Sequence, residues 1–270
     1  ISLDLPLLPD QYREVWTVES KTSFTPAAAR SGTQSVASVN VELRLPTAQA
    51  GWVILEEHFA SSGFGFSIVE EGAGSSVARW TRQTLDRPTT LYYKMQIYRA
   101  SENPALPNLP VDQPQKPLLE PDQQAAMDRL LDRLQKQSSD IGSFVQLLLQ
   151  EFLRDSPDQD TLFLIDSYED DSLAVLMDVL AMAEISAHQI RGIVLEDGRR
   201  RQTLSSLIEV YAGERWRIFD PATARTGLPD NFFIWQRGDG SVLNVVGGRD
   251  SSLEFALVSN SLPAKSVIGM

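Results

Sequence analysis

The sequence predicts an α+β protein in which an all-β segment precedes helices that run into an antiparallel sheet. Three observations carry this reading. Apolar residues alternate with period two over the first hundred residues, six prolines fall between positions 104 and 121, and apolar stripes at helical spacing then give way to short strands.

In the first segment, Val15, Thr17 and Glu19 alternate with Trp16, Val18 and Ser20, and Val39, Val41, Leu43 and Leu45 alternate with polar neighbours. Further runs cover Trp52 to Leu55, Phe64 to Val69, Val77 to Thr84 and Leu91 to Tyr98. Aromatic and β-branched enrichment with Gly, Pro and Ser between the runs predicts six antiparallel strands, a small β-sandwich over residues 1–100. Residues 101–121 carry Pro104, Pro107, Pro110, Pro114, Pro117 and Pro121. Proline lacks an amide donor and biases the preceding residue against helix, so this segment is an extended linker.

Residues 122–270 form the second domain of this reading. Pro121 and Asp122 start a helix with Met127, Leu130, Leu131 and Leu134 on one face. Ser138, Ser139 or Asp140 caps a second, striped by Ile141, Phe144, Val145, Leu148 and Phe152. A third runs from about Asp171 to Ala183. Strands follow at His188 to Leu195, Ser205 to Tyr211 and Trp216 to Phe219, with turn chemistry at Asp197-Gly198 and Ala212-Gly213. More β structure is expected at Phe232 to Gln236, Val242 to Val246 and Leu253 to Val258.

Composition narrows function. The 270 residues are 42% hydrophobic and 22% charged with a net charge of −12, a globular balance whose acidity opposes binding to nucleic acid phosphates. The one basic run, Arg199-Arg200-Arg201, reads as a solvated hairpin tip. There is no cysteine, which removes disulfides, thiolate metal sites and thiol nucleophiles together and fits an oxidising compartment. No run approaches the ~18 apolar residues of a membrane span. The opening Ile1 suggests a piece excised from a longer chain.

The order of elements, with two segments, carries a resemblance. Glu169 to Gly192 (EDDSLAVLMDVLAMAEISAHQIRG) resembles the nucleophile helix and following strand of the transglutaminase-like superfamily, with Glu184-Ile185-Ser186-Ala187-His188 where that family has Gly-Ile-Pro-Ala-Arg. Ser205 to Thr223 (SSLIEVYAGERWRIFDPAT) resembles its His-Ala-Trp-Val-Glu-Val and Trp-x-x-x-Asp-Pro strands through Glu209-Val210, Trp216 and Asp220-Pro221. The resemblance implies a transglutaminase-like, papain-like core of helices plus antiparallel sheet. In that family a thiolate at a helix N-terminus is the nucleophile, a histidine moves protons and a carboxylate orients the ring. Carried over, the cysteine position falls on Glu169 or Asp170, the histidine position on Ser205, and the retained aspartate is Asp220. Thiol acyl transfer is therefore excluded. His58 falls in the β segment and His188 where the family has arginine, so neither replaces the lost base.

Within the superfamily, this chain is most similar to the group described as inactive transglutaminase fused to seven transmembrane helices. The similarity extends to Gly51-Trp52-Val53-Ile54-Leu55 and Gly63-Phe64-Gly65. It implies a periplasmic domain of a bacterial inner-membrane protein, attached to a membrane domain of the same chain and linked functionally to an ATP-grasp ligase. The expected function is a ligand-binding sensor or scaffold without a cofactor. Its ligand would be a peptide, a cell-wall component or another protein, with Glu209, Trp216 and Trp235, beside Phe232 and Phe233, at the rim of the former cleft. Two rivals use the same residues. Glu169 or Asp170 could act with Glu209 and Asp220 as a carboxylate-based hydrolase. The acidic runs Asp155 to Asp160 and Asp166 to Asp171 could hold calcium, although neither has the glycine and terminal glutamate of an EF-hand loop.

Overall fold

The computed structural model describes residues 12–27, 38–47, 49, 51–72, 74–100 and 109–263. The chain folds into three four-stranded antiparallel sheets and a helical layer. In chain order the strands are β1 (Tyr12–Pro26), β2 (Val39–Arg44), β3 (Trp52–Ala60), β4 (Gly65–Glu71), β5 (Ser75–Arg82) and β6 (Thr89–Arg99). Helices α1 (Pro121–Gln137), α2 (Ile141–Phe152), α3 (Gln159–Ser167) and α4 (Ser172–Met182) follow. Six more strands complete the chain: β7 (Ala187–Val194), β8 (Ser205–Tyr211), β9 (Trp216–Phe219), β10 (Phe232–Arg237), β11 (Leu243–Val246) and β12 (Gly248–Pro263).

The expected α+β class is present, as a β-sandwich beside a sheet covered by helices. One sheet has the order β12-β1-β6-β3 and the second β11-β2-β5-β4. Val18, Val41, Leu43, Trp80, Tyr93, Met95, Ile97, Phe255 and Leu257 are buried together between them. The alternation read from the sequence becomes burial directly: β2 alternates buried and half-buried residues along its length. Strand partners differ from the sequence division at 122. β11 pairs with β2 and β12 pairs with β1 from Tyr12↔Pro263 to Pro26↔Gly248, so residues 243–263 complete the sandwich rather than extend the sheet that follows the helices. Alternation marks a strand and its inward face but carries no record of its neighbour.

The third sheet, β10-β7-β8-β9, is covered on one face by the helices. Met127, Leu130, Val145, Leu148, Val175, Leu176, Val179 and Leu180 close on Ile208, Val210 and Phe219. Three helix starts are fixed by their own acids. The Asp140 carboxylate accepts the Ser143 N–H at 2.7 Å, Asp158 that of Asp160 at 3.0 Å and Asp171 that of Ala174 at 3.0 Å. Thus the acidic runs considered for calcium each supply a helix cap, and α3 occupies a stretch the sequence reading left without an element. Helix α3 has only two turns and buries only Thr161 and Leu164, too short a stripe to register as a period.

Glu151 joins three of these helices. It is buried on α2 and accepts from the Asp158 N–H at 2.9 Å, Thr161 Oγ1 at 3.2 Å, Arg133 Nη1 at 3.3 Å and Arg154 Nη1 at 3.0 Å. Burial opposes ionisation, yet the Asp158 N–H and the two guanidiniums outweigh it and hold the carboxyl down at about 2, below its ordinary 4.5. A depressed carboxylate stabilises the fold fully above the unfolded value, and this is lost as pH falls through the folded one. Glu151 should therefore withdraw on the order of 3 kcal/mol between about pH 4.5 and pH 2. Urea unfolding across that window checks it, and Glu151→Gln should flatten the dependence.

Candidate functional site

Helix α4 reverses through residues 183–186 into β7, so its N-terminal end lies toward the end of the sheet where β8 begins and β9 finishes. The three degenerate positions therefore share one end of the domain. Glu169 and Asp170 form the corner between α3 and α4, both exposed and both left-handed, with φ of 52° and 65°. Their N–H groups bond to Asp166 O at 3.0 Å and Ile165 O at 3.1 Å, closing α3. The N-terminal cap of α4 is Asp171, one residue beyond the positions assigned to the cysteine.

Ser205 opens β8 opposite Gly192. A side chain at Gly192 would lie 2.3 Å from Phe233 O and 2.4 Å from the Phe232 ring, so glycine is what lets β10 approach this end of β7. Asp220 follows β9, and its carboxylate is held by its own turn. Oδ1 accepts the Ala222 N–H at 2.8 Å and Oδ2 the Thr223 hydroxyl at 2.8 Å. Among the described residues, no hydrogen bond or ion pair joins Glu169, Asp170, Ser205 and Asp220 to one another. Asp220 therefore shapes its own loop.

Neither histidine supplies one. His58 is exposed on β3, 3.5 Å from Glu56. His188 lies on β7 opposite Glu209, four residues from Gly192, which is about 13 Å along the strand from Ser205. Its ring stacks on Trp216 at 4.5 Å between centroids.

The residues expected at a ligand rim are in the interior. Trp216 is 6% exposed and donates its indole N–H to Leu109 O at 3.0 Å. Trp235 is 2% exposed, packs against Tyr93 and Phe255, and donates to Arg44 O at 2.8 Å. Phe232 and Phe233 are buried as well. Glu209 is fully buried and paired with Arg237 Nε at 3.0 Å, Arg237 being itself 14% exposed. Arg237 is the site residue the sequence reading missed. The signal lay in Glu209 standing between Ile208 and Val210 on a strand covered on both faces, where a carboxylate requires a cation.

The proline segment is fastened to this domain. Besides Leu109 O on Trp216, Asp112 O accepts from the Ser186 hydroxyl, Lys116 pairs with Glu184 at 2.7 Å, and Leu119 packs on the helical core. A cavity of about 330 Å³ lies beneath it, lined in part by Asp112, Met177, Ser186 and His188. Pro104 and Pro107 lie outside the described residues. No described helix is long and apolar enough to cross a membrane.

Comparison with known proteins agrees with this architecture. Residues 1–168 match the family described as inactive transglutaminase fused to 7 transmembrane helices. A solved structure from Cytophaga hutchinsonii, described as a "putative cysteine protease", superposes over 94% of both chains with a TM-score of 0.55 at 15% identity. At that identity the likeness shows the fold, including the 169–220 region beyond the family match. No curated protein matches the sequence.

Proposed function

Starting from the chain's membership of the family of inactive transglutaminases fused to seven transmembrane helices, we propose that it is a ligand-binding sensor or scaffold domain on the periplasmic side of a bacterial inner membrane. Its occupancy is passed to the membrane portion of the same protein, and an ATP-grasp ligase is a functional partner. The observation that carries the reading is the chemistry at the three positions: exposed carboxylates at the helix corner, a serine hydroxyl opening β8, and an aspartate consumed by its own turn. A serine without a base and carboxylates at a solvent-exposed corner provide no nucleophile for amide exchange. The fastened proline segment supports a scaffold role, because residues 109–119 are held along the helices and the third sheet.

Intact-mass analysis after incubation with amide and ester acyl-transfer probes tests it. The expected result is unmodified protein and no turnover. A covalent adduct on any residue of the 169–220 region would overturn the reading.

A further inference from the structure

The two sheets of the sandwich end in four edge strands, β3, β4, β11 and β12. An unpaired edge offers a row of backbone donors and acceptors to any strand that meets it. Soluble proteins blunt such edges with charges, bulges, shortness or a covering loop. Three of the four are blunted here. β3 has a register shift between Ile54 and Glu56 and carries exposed Glu56, Glu57 and His58 in succession. β11 has only four residues. β12 is met on its outer side by residues 198–202, through the Gln202↔Phe255 bridge and the bond from the Leu257 N–H to Arg199 O at 2.8 Å.

Strand β4 has none of these devices. It pairs with β5 without a register shift from Gly65↔Thr81 to Glu71↔Ser75, and among the described residues no strand pairs with its other side. Gly65-Phe66-Ser67-Ile68-Val69 contains no charge and no proline. Phe66 is 36% exposed and Ile68 50%, although their partners Trp80 and Ala78 are buried. Cross-strand partners share a face, so Phe66 and Ile68 lie on the core side of the sheet, at a flank left open. The Phe66 ring continues an aromatic row, 4.9 Å from Phe59 and 5.2 Å from Trp80 between centroids.

We propose that β4 is the seam of a twofold homodimer, pairing antiparallel with β4 of a second copy about Ser67. The segment is complementary to itself in this register. Phe66 of each copy stands opposite Ile68 of the other, Gly65 opposite Val69 and Ser67 opposite Ser67, so aromatic–β-branched pairs cover both exposed apolar side chains. Residues of the same parity meet, so amides directed outward from one strand reach carbonyls directed outward from the other. Glu70 and Glu71 lie beyond the paired stretch, and no carboxylate is buried in it. The sheet β11-β2-β5-β4 of each copy becomes half of one continuous sheet. The inference goes beyond the ligand-binding reading and does not depend on it.

Analytical ultracentrifugation over a range of protein concentrations tests it, with thermal unfolding to verify that each variant folds. A monomer–dimer equilibrium is expected, tightened by added salt because each copy carries a net charge of −12. Ile68→Lys should weaken it at least about tenfold, because an ammonium group from each copy then faces an apolar partner. Since the chain has no cysteine, a single introduced thiol reports the register. Ser67→Cys should cross-link to itself with a short bis-maleimide. Glu70→Cys, whose two copies would stand about 20 Å apart along the strands, should not. A monomer at every concentration, a dimer unaltered by Ile68→Lys, loosening by salt, or equal cross-linking of the two thiols would each overturn the assignment.

Discussion

Replacing Arg237 with alanine is expected to destabilise the protein by about 3–5 kcal/mol, the effect of stranding a buried charge. Glu209 is fully buried on the central strand β8, and Arg237 reaches it from β10 at 3.0 Å across β7. Without the guanidinium, the carboxylate keeps its desolvation and loses the cation paired with it among the described residues. The expected signature is a lowered urea midpoint with the far-ultraviolet spectrum retained in native buffer. The double variant Glu209→Leu with Arg237→Met should recover most of the loss, because an apolar pair of similar volume removes both the charge and its need. A single-variant cost under about 1 kcal/mol would mean that water reaches this pair.

Trp235→Ala is expected to cost a comparable 3–5 kcal/mol, the range for deleting a buried aromatic side chain. Its indole fills the junction between the sandwich and the third sheet, edge-on to Tyr93 at 6.1 Å and tilted against Phe255 at 5.0 Å. Its N–H also satisfies Arg44 O. Trp235→Phe separates these contributions: it keeps most of the volume, loses the bond, and should cost about 1–3 kcal/mol for the stranded carbonyl. Urea unfolding monitored by circular dichroism gives both values. A cost near zero for the alanine variant would place the indole outside the core.

How much of this could be read from the residues follows from what each signal encodes. The six sandwich strands were legible because Val39, Val41, Leu43 and their counterparts record inwardness at every second position. The starts of α1 and α2 were legible because Pro121 and Asp140 act within one turn of their own position. Helix α3 was not, since Leu162 and Phe163 face outward and blur its stripe. The placement of β11 and β12 was not legible either, because pairing over most of the chain's length leaves no local trace. At the candidate site, Glu169, Asp170, Ser205 and Asp220 fall at the ends of elements, whereas Trp216 and Trp235, expected at a rim, are buried. An aromatic side chain looks the same in the sequence whether its N–H meets a ligand or a backbone carbonyl.

The pairing of β12 with β1 also sets an order of events. Tyr12 meets Pro263, partners separated by about 250 residues. A nascent chain emerging from the ribosome therefore cannot close its first domain when that domain's own six strands have been made. The outer edges of β1 and β2 stay open until residues 243–263 are synthesised. Such delayed closure of distant strands slows folding and exposes sticky edges meanwhile. For this architecture, a chaperone or a slow translation rate has its greatest influence during synthesis of the second half, when the first half waits for its final strands.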